Sequence, residues 1–222
     1  MKPETVDGLR EEASRGDYGS MARLARALYG CGLGPREVVR ECYGVDFPEE
    51  FFALVDAGPW VRYLLVYFTN QPWQLAVPPE RGGPAEGPDE MADTELLILA
   101  RDPDLMPLFQ IPAYAPGEDD RVVCYRLAEL RAGRPTLYCL DVTDYPGIEV
   151  RDTEAVRCGE SMLTVLEDAH ADDLRRLEEE ARLPSNRGAG SVDRSEVDQA
   201  SESLELVREL ARKLAGPQAQ EG

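Results

Sequence analysis

Residues 47–77 constrain the fold most. Within them Phe47-Pro48-Glu49-Glu50-Phe51-Phe52-Ala53-Leu54-Val55 leads into two strongly apolar segments. Proline suits the first turn of a helix, where its missing N–H has no intrahelical partner to lose. Phe51, Leu54 and Val55 then fall on one helical face, and Gly58-Pro59 ends the helix. From 61 to 69, Val61, Tyr63, Leu65 and Tyr67 alternate with Arg62, Leu64, Val66 and Phe68, so both faces are apolar beyond Arg62. That pattern predicts a central strand covered on both sides. Asn70-Gln71-Pro72 forms a turn, and Trp73, Leu75 and Val77 share one face of a predicted second strand that stops at Pro78-Pro79. A sheet covered by helices is the architecture this stretch implies.

Two helical segments precede it. Residues 5–30 read as one helix, with Met21, Leu24, Ala25 and Leu28 on one face and Gly30 and Gly32 as its break. Gly34-Pro35 opens a shorter one, with Val38, Val39 and Cys42 inward, ending near Tyr43-Gly44. After the hairpin, residues 78–88 are crowded with proline and glycine and read as a surface loop. Leu96-Leu97-Ile98-Leu99-Ala100 fits a buried strand or a helix end equally, and residues 105–111 are similar. Residues 112–120 form a second loop, acidic at Glu118, Asp119 and Asp120, before a strand at Val122-Val123-Cys124-Tyr125. A helical turn over 127–132 separates it from a strand carrying Thr136, Tyr138 and Leu140 and closed by Asp141.

Asp152 is placed to cap a long helix with Met162, Leu163, Val165 and Leu166 inward, and the charged run 172–182 reads mostly as its solvated face. The chain thus divides into one domain over 1–183, a linker over 184–195, an amphipathic helix over 196–215 and a tail over 216–222. In that last helix Val197, Ala200, Leu204, Val207, Ala211 and Leu214 alternate spacings of three and four. Such a stripe docks on its own domain, on a second copy or on a partner.

Charge limits the partners. With 43 acidic against 24 basic residues, a formal net charge of -19, the surface repels phosphate backbones, so direct nucleic-acid binding is not expected and a basic protein partner is favoured. The N-terminus lacks the apolar run of a signal peptide, and no stretch approaches the ~18 apolar residues of a membrane span. Cys31, Cys42, Cys124, Cys139 and Cys158 are odd in number and contain no Cys-x-x-Cys, so buried free thiols in a reducing cytoplasm are expected, and no metal or cofactor.

Catalytic motifs are scarce. His170 is the only histidine and lies in an acidic helical run, where a structural or solvated role is expected. The glycines at 82, 83 and 87 are not followed by Gly-Lys-Ser/Thr. Carboxylate pairs such as Asp102 with Asp104, or Asp141 with Asp144, lack calcium-loop spacing. Asp141, at a strand end, is the leading candidate for a hydrolytic carboxylate, with capping or turn formation as its alternative.

The order Phe47-Pro48-Glu49-Glu50-Phe51-Phe52-Ala53-Leu54, then strands, then a late helix around Ser161-Met162-Leu163-Val165-Leu166, resembles the SUKH superfamily over residues 20–183. That group contains toxin-immunity proteins and a fungal cell-wall-synthesis regulator. The usual Asn-Gly after the motif helix is here Ala57-Gly58-Pro59, and the proline-rich loop and C-terminal helix are additions. The resemblance implies an α+β fold: a mixed, mainly antiparallel sheet with helices packed on it, here with a C-terminal amphipathic helix added. It also implies a non-catalytic binding role, in which an immunity protein covers the active site of a basic nuclease- or deaminase-type toxin. The expected contact residues are Trp60, Glu118, Asp119 and Asp120. Two other readings stay open: a hydrolase with a carboxylate-centred or metal-assisted site around Asp141 and Asp144, and a scaffold that self-associates through the C-terminal stripe.

Overall fold

The computed structural model describes residues 5–58, 64–88, 91–114, 118–143, 149–150, 154–182 and 193–216. Trp60, Asp144, Asp152, residues 184–192 of the linker predicted over 184–195, and the tail from 217 onward lie outside the described residues.

The fold is α+β. Helices α1 (Val6–Glu12), α2 (Tyr18–Gly30), α3 (Pro35–Tyr43) and α4 (Glu49–Ala57) come first, followed by β1 (Tyr67–Phe68) and the short α5 (Trp73–Ala76). Next come α6 (Ala92–Arg101), β2 (Leu105–Ile111), β3 (Asp120–Arg126), α7 (Leu127–Arg131), β4 (Leu137–Thr143), β5 (Glu149–Val150) and β6 (Val156–Gly159). The long helices α8 (Met162–Arg182) and α9 (Arg194–Ala215) close the chain. The strands order as β1-β2-β3-β4, with β5 and β6 both on the far side of β4. Every pairing among the described strands is antiparallel, where some parallel pairing was expected.

The centre of the sheet is β3, not the segment before Thr69. Val123 and Tyr125 point into the main core against the helices, while Val122 and Cys124 point to a smaller core that α6 closes with Ile98. Alternating apolar residues on both faces thus mark the central strand, as the pairing rule says they should. The run at 64–68 carries the same pattern for another reason. Leu64 and Val66 are buried under the helices in bent backbone, and only Tyr67 and Phe68 pair, as an edge strand.

The backbone of that bent segment is held by a side chain. Buried His170 of α8 accepts the Leu65 N–H at Nε2 (3.0 Å), while its Nδ1 bonds the Leu166 carbonyl (2.6 Å) and so carries the proton. Burial lowers the imidazole pKa. A depressed folded-state value means that its stabilising effect is complete above the unfolded value, about 6.5, and is lost as pH falls from there through the folded value. His170→Leu leaves the Leu65 N–H unpaired and is expected to cost about 1–3 kcal/mol at pH 7. In paired urea titrations that difference should shrink between pH 7 and pH 5; a difference that stays constant would contradict the role.

Three other boundaries differ from expectation. The N-terminal helix is two helices, because Asp17 caps α2 through the Gly19 N–H (3.0 Å) and Ser20 ties the turn back to the Ser14 N–H (3.0 Å). Residues 73–76 are helical, not extended. The Asn70 carbonyl accepts the Gln74 N–H (2.9 Å), and this turn sends Trp73, Leu75 and Ala76 inward, with Trp73 Nε1 donating to the Leu108 carbonyl (2.6 Å). The long helix begins only at Met162, because residues 156–159 pair with β4 as β6. Glu50, from the Pro48-Glu49-Glu50 motif of α4, caps it by accepting the Met162 (2.6 Å) and Leu163 (3.3 Å) N–H groups.

The C-terminal helix is part of the fold. Asp193 and Glu196 form a reciprocal capping box, so α9 starts two residues before the expected 196. Ala200, Leu204, Val207 and Leu210 are buried, the last two in the main core, and Arg208 pairs with Glu167 of α8 (2.8 Å). The stripe therefore docks on its own chain, leaving Leu214 exposed at its end.

Candidate functional site

Three of the acidic residues singled out in the sequence, Glu118, Asp119 and Asp141, line one groove of about 430 Å³, between α8, the β2–β3 connection and β4. Register explains the floor. Arg121 of β3 stands directly opposite Asp141 of β4, so both side chains leave the same face of the sheet. Glu118 and Asp119 come from the loop leading into β3, and α8 adds Asp172, Asp173 and Arg176 across the gap. The lining holds five carboxylates against two guanidinium groups.

Their states differ. Asp120 is turned inward: its carboxylate accepts the Ala113 N–H (2.7 Å) and the Gln110 side-chain amide, and so closes the β2–β3 connection. Of the three expected contact acids it has a structural task, while Glu118 is exposed and Asp119 half-buried on the groove wall. Asp141 forms no ion pair with Arg121 or with any other described residue, nor does Glu118. Asp172 is exposed and paired with Arg175 at 2.9 Å.

Asp173 is the unusual member. Its side chain is only 3% exposed, and Oδ1 meets Arg176 at 2.6 Å, yet Oδ2 has no hydrogen-bond partner among the described residues. Arg176 in turn pairs with Glu180 (2.9 Å) and lies 4.2 Å from the ring centre of Tyr114, whose other surroundings leave it 45% exposed. Burial pushes the Tyr114 phenol up to about 12, and Asp173 adds to the shift. The groove thus combines an exposed aromatic face, unpaired carboxylates and one buried carboxylate oxygen lacking a donor. Such an arrangement attracts a guanidinium or ammonium group.

No protein-family model, curated protein or solved structure matches the chain. The site must therefore be read from its own chemistry.

The other carboxylates considered have local tasks. Asp102 pairs with Arg126 (2.8 Å) and caps the Asp104 N–H (3.0 Å), and Asp104 accepts the Ala128 N–H (2.9 Å) at the start of α7. Among the described residues no three His, Cys, Asp or Glu side chains converge as a metal site requires. A larger groove, about 660 Å³, lies between the end of α4 and α9, walled by Leu206, Leu210 and Lys213. Its α4 wall ends at Ala57, just before the undescribed residues 59–63. No described helix is long and apolar enough to cross a membrane.

Sequence reading missed Asp173, Arg176 and Tyr114. The run 172–182 is so rich in charge that it reads as solvated, yet the buried positions of α8 are Met162, Leu163, Leu166, His170, Asp173 and Leu177. Asp173 falls on that stripe at helical spacing, seven residues after Leu166 and four before Leu177. The periodicity carried the signal, and composition obscured it.

Proposed function

We propose that the chain is a non-catalytic, acidic protein-binding module that holds a basic partner protein at the groove between α8 and the β3–β4 floor. The observation that carries this is Asp173 Oδ2, buried without a donor among the described residues, in a groove that Asp141 and Glu118 also line without an ion-pair partner among those residues. A buried acceptor left unsatisfied costs about 1–3 kcal/mol. An arginine or lysine entering from a partner would supply the donor and meet a groove already negative, which favours both encounter and retention. Following the resemblance to the SUKH superfamily, the partner would be a nuclease- or deaminase-type toxin, and binding would cover its active site.

The hydrolase reading draws no specific support from the arrangement, since Asp144 lies outside the described residues and Asp141 faces Arg121 across the strands. The scaffold reading is less favoured, because Ala200, Leu204 and Val207 of the C-terminal stripe are buried within their own chain, while Leu214 stays exposed.

Capture from native lysate with the full chain as bait, at low and at high salt, tests the binding role. One basic protein retained at low salt and released as the Debye length falls from about 10 Å towards 3 Å is the expected result. A folded bait that retains nothing at low salt, or whose partner is acidic and indifferent to salt, would overturn it.

A further inference from the structure

Asp173 Oδ2 is closed off from solvent, so no donor arriving from a partner reaches it while the neighbouring side chains keep their places. Arg176 is the neighbour bound to the same carboxylate, its Nη2 donating to Oδ1 at 2.6 Å. The remaining donors of Arg176 are poorly used. Nη1 goes to Glu180 Oε1 (2.9 Å), and Nε is buried with no acceptor among the described residues. One guanidinium is thus shared a single bond at a time between two carboxylates, although its planar fork suits two parallel bonds to one of them. It also covers a face of the Tyr114 ring, 4.2 Å from the centre. The two anchors are unequal: the Asp173 side chain is 3% exposed and that of Glu180 is 45% exposed, so one holds Arg176 inward and the other holds it at the surface.

We propose that Arg176 stands in for an arginine of the partner, and that this end of the groove takes a guanidinium in preference to an ammonium group. The inference rests on the binding role proposed above. Arg176 keeps Glu180 when it leaves Asp173, because the two lie four residues apart on α8. Its departure frees both Asp173 oxygens and the Tyr114 face together. An arriving arginine then makes the two parallel bonds to Asp173 that Arg176 does not make, while lying flat on the ring. Lysine carries a compact point charge and cannot match the two oxygens and the ring in one plane. Because one cation replaces another, the buried carboxylate ends paired, and the gain is the bond to Oδ2 that the resting pair lacks.

Calorimetry on the full chain with Nα-acetyl-arginine amide, compared with Nα-acetyl-lysine amide, tests this. The arginine compound is expected to bind more tightly than the lysine compound. Arg176→Ala should tighten arginine binding by roughly tenfold, since the site no longer has to be vacated first. Glu180→Gln, a change at an exposed position, should weaken arginine binding in the native chain and have no effect once Arg176 is replaced. Equal affinities for the two compounds, or arginine binding that Arg176→Ala weakens or leaves unchanged, would overturn the proposal. If Arg176→Ala does not fold, an unaltered arginine affinity in Glu180→Gln overturns it alone. The two failures are distinguishable: a basic partner captured from lysate with no arginine preference here removes only the role of Arg176, whereas arginine binding by a bait that captures nothing removes only the partner.

Discussion

Phe51→Ala is expected to lower the free energy of unfolding by about 3–5 kcal/mol, the range for emptying a large aromatic site in a core. Phe51 is fully buried, and its ring centre lies 4.5 Å from that of Trp73, 4.9 Å from Phe47 and 5.0 Å from Phe52. Trp73 passes the contact on to the sheet through its bond to the Leu108 carbonyl, and Phe47 does so through Tyr125 of β3 at 6.2 Å. One ring therefore joins α4, α5 and two strands. Urea denaturation of the full-length variant would measure the loss; a change below about 1 kcal/mol would show that neighbouring side chains close the cavity and that the cluster is not central. Tyr67→Ala makes a useful contrast. Tyr67 belongs to the same apolar stretch of sequence but is 53% exposed on the edge strand, so the change should stay within about 0.5 kcal/mol.

That contrast shows where the sequence could be read and where it could not. The helix at 49–57 was legible because proline, two acids and a one-faced apolar pattern all point to the same element. β3 and β4 were legible because alternation and burial agree along them. The segments on either side of Thr69 were misread because apolar character reports burial, not hydrogen-bond partners. Leu64 and Val66 are buried without belonging to a strand, the Leu65 N–H going to His170 from 105 residues away. Trp73, Leu75 and Val77 alternate as a strand requires, while Trp73, Leu75 and Ala76 are the residues that a single helical turn buries, and the Asn70–Gln74 bond decides between the two. Both decisions depend on contacts distant in sequence or on turn geometry that composition does not encode.

The candidate site divides in the same way. Glu118 and Asp119 stood out because the loop is acidic, and Asp141 because the sequence pattern closes a strand there, although β4 in fact runs on to Thr143 and Asp141 lies inside it. Their convergence depends on the β3–β4 register, which places Asp141 opposite Arg121, and on α8 crossing that end of the sheet. Asp120 has the same local composition as its neighbours but a different task, since both of its oxygens are engaged within the β2–β3 connection. Asp120→Asn should therefore loosen that connection, whereas Glu118 can change its charge without disturbing any described bond.

Glu118→Lys with Asp141→Lys is expected to reduce affinity for the partner captured at low salt by roughly 100-fold or more, about 3 kcal/mol, while the melting temperature changes little. The size follows from placement. Neither carboxylate has an ion-pair partner among the described residues, so their replacement breaks no ion pair there, but it sets two cations in the groove that holds Asp173 and Arg121. An incoming basic side chain then meets like charge where the native groove is negative, and association slows first because that step depends on long-range attraction. Glu11→Lys with Asp198→Lys makes the same change in net charge at exposed positions outside the groove. Stopped-flow or surface-plasmon measurements of the two double variants separate a local effect from a global one. A large loss for the groove pair and a small, salt-sensitive loss for the control pair would assign the contact to the groove. Equal losses would mean that overall charge alone draws the partner in, and the contact surface would have to be sought elsewhere on the chain.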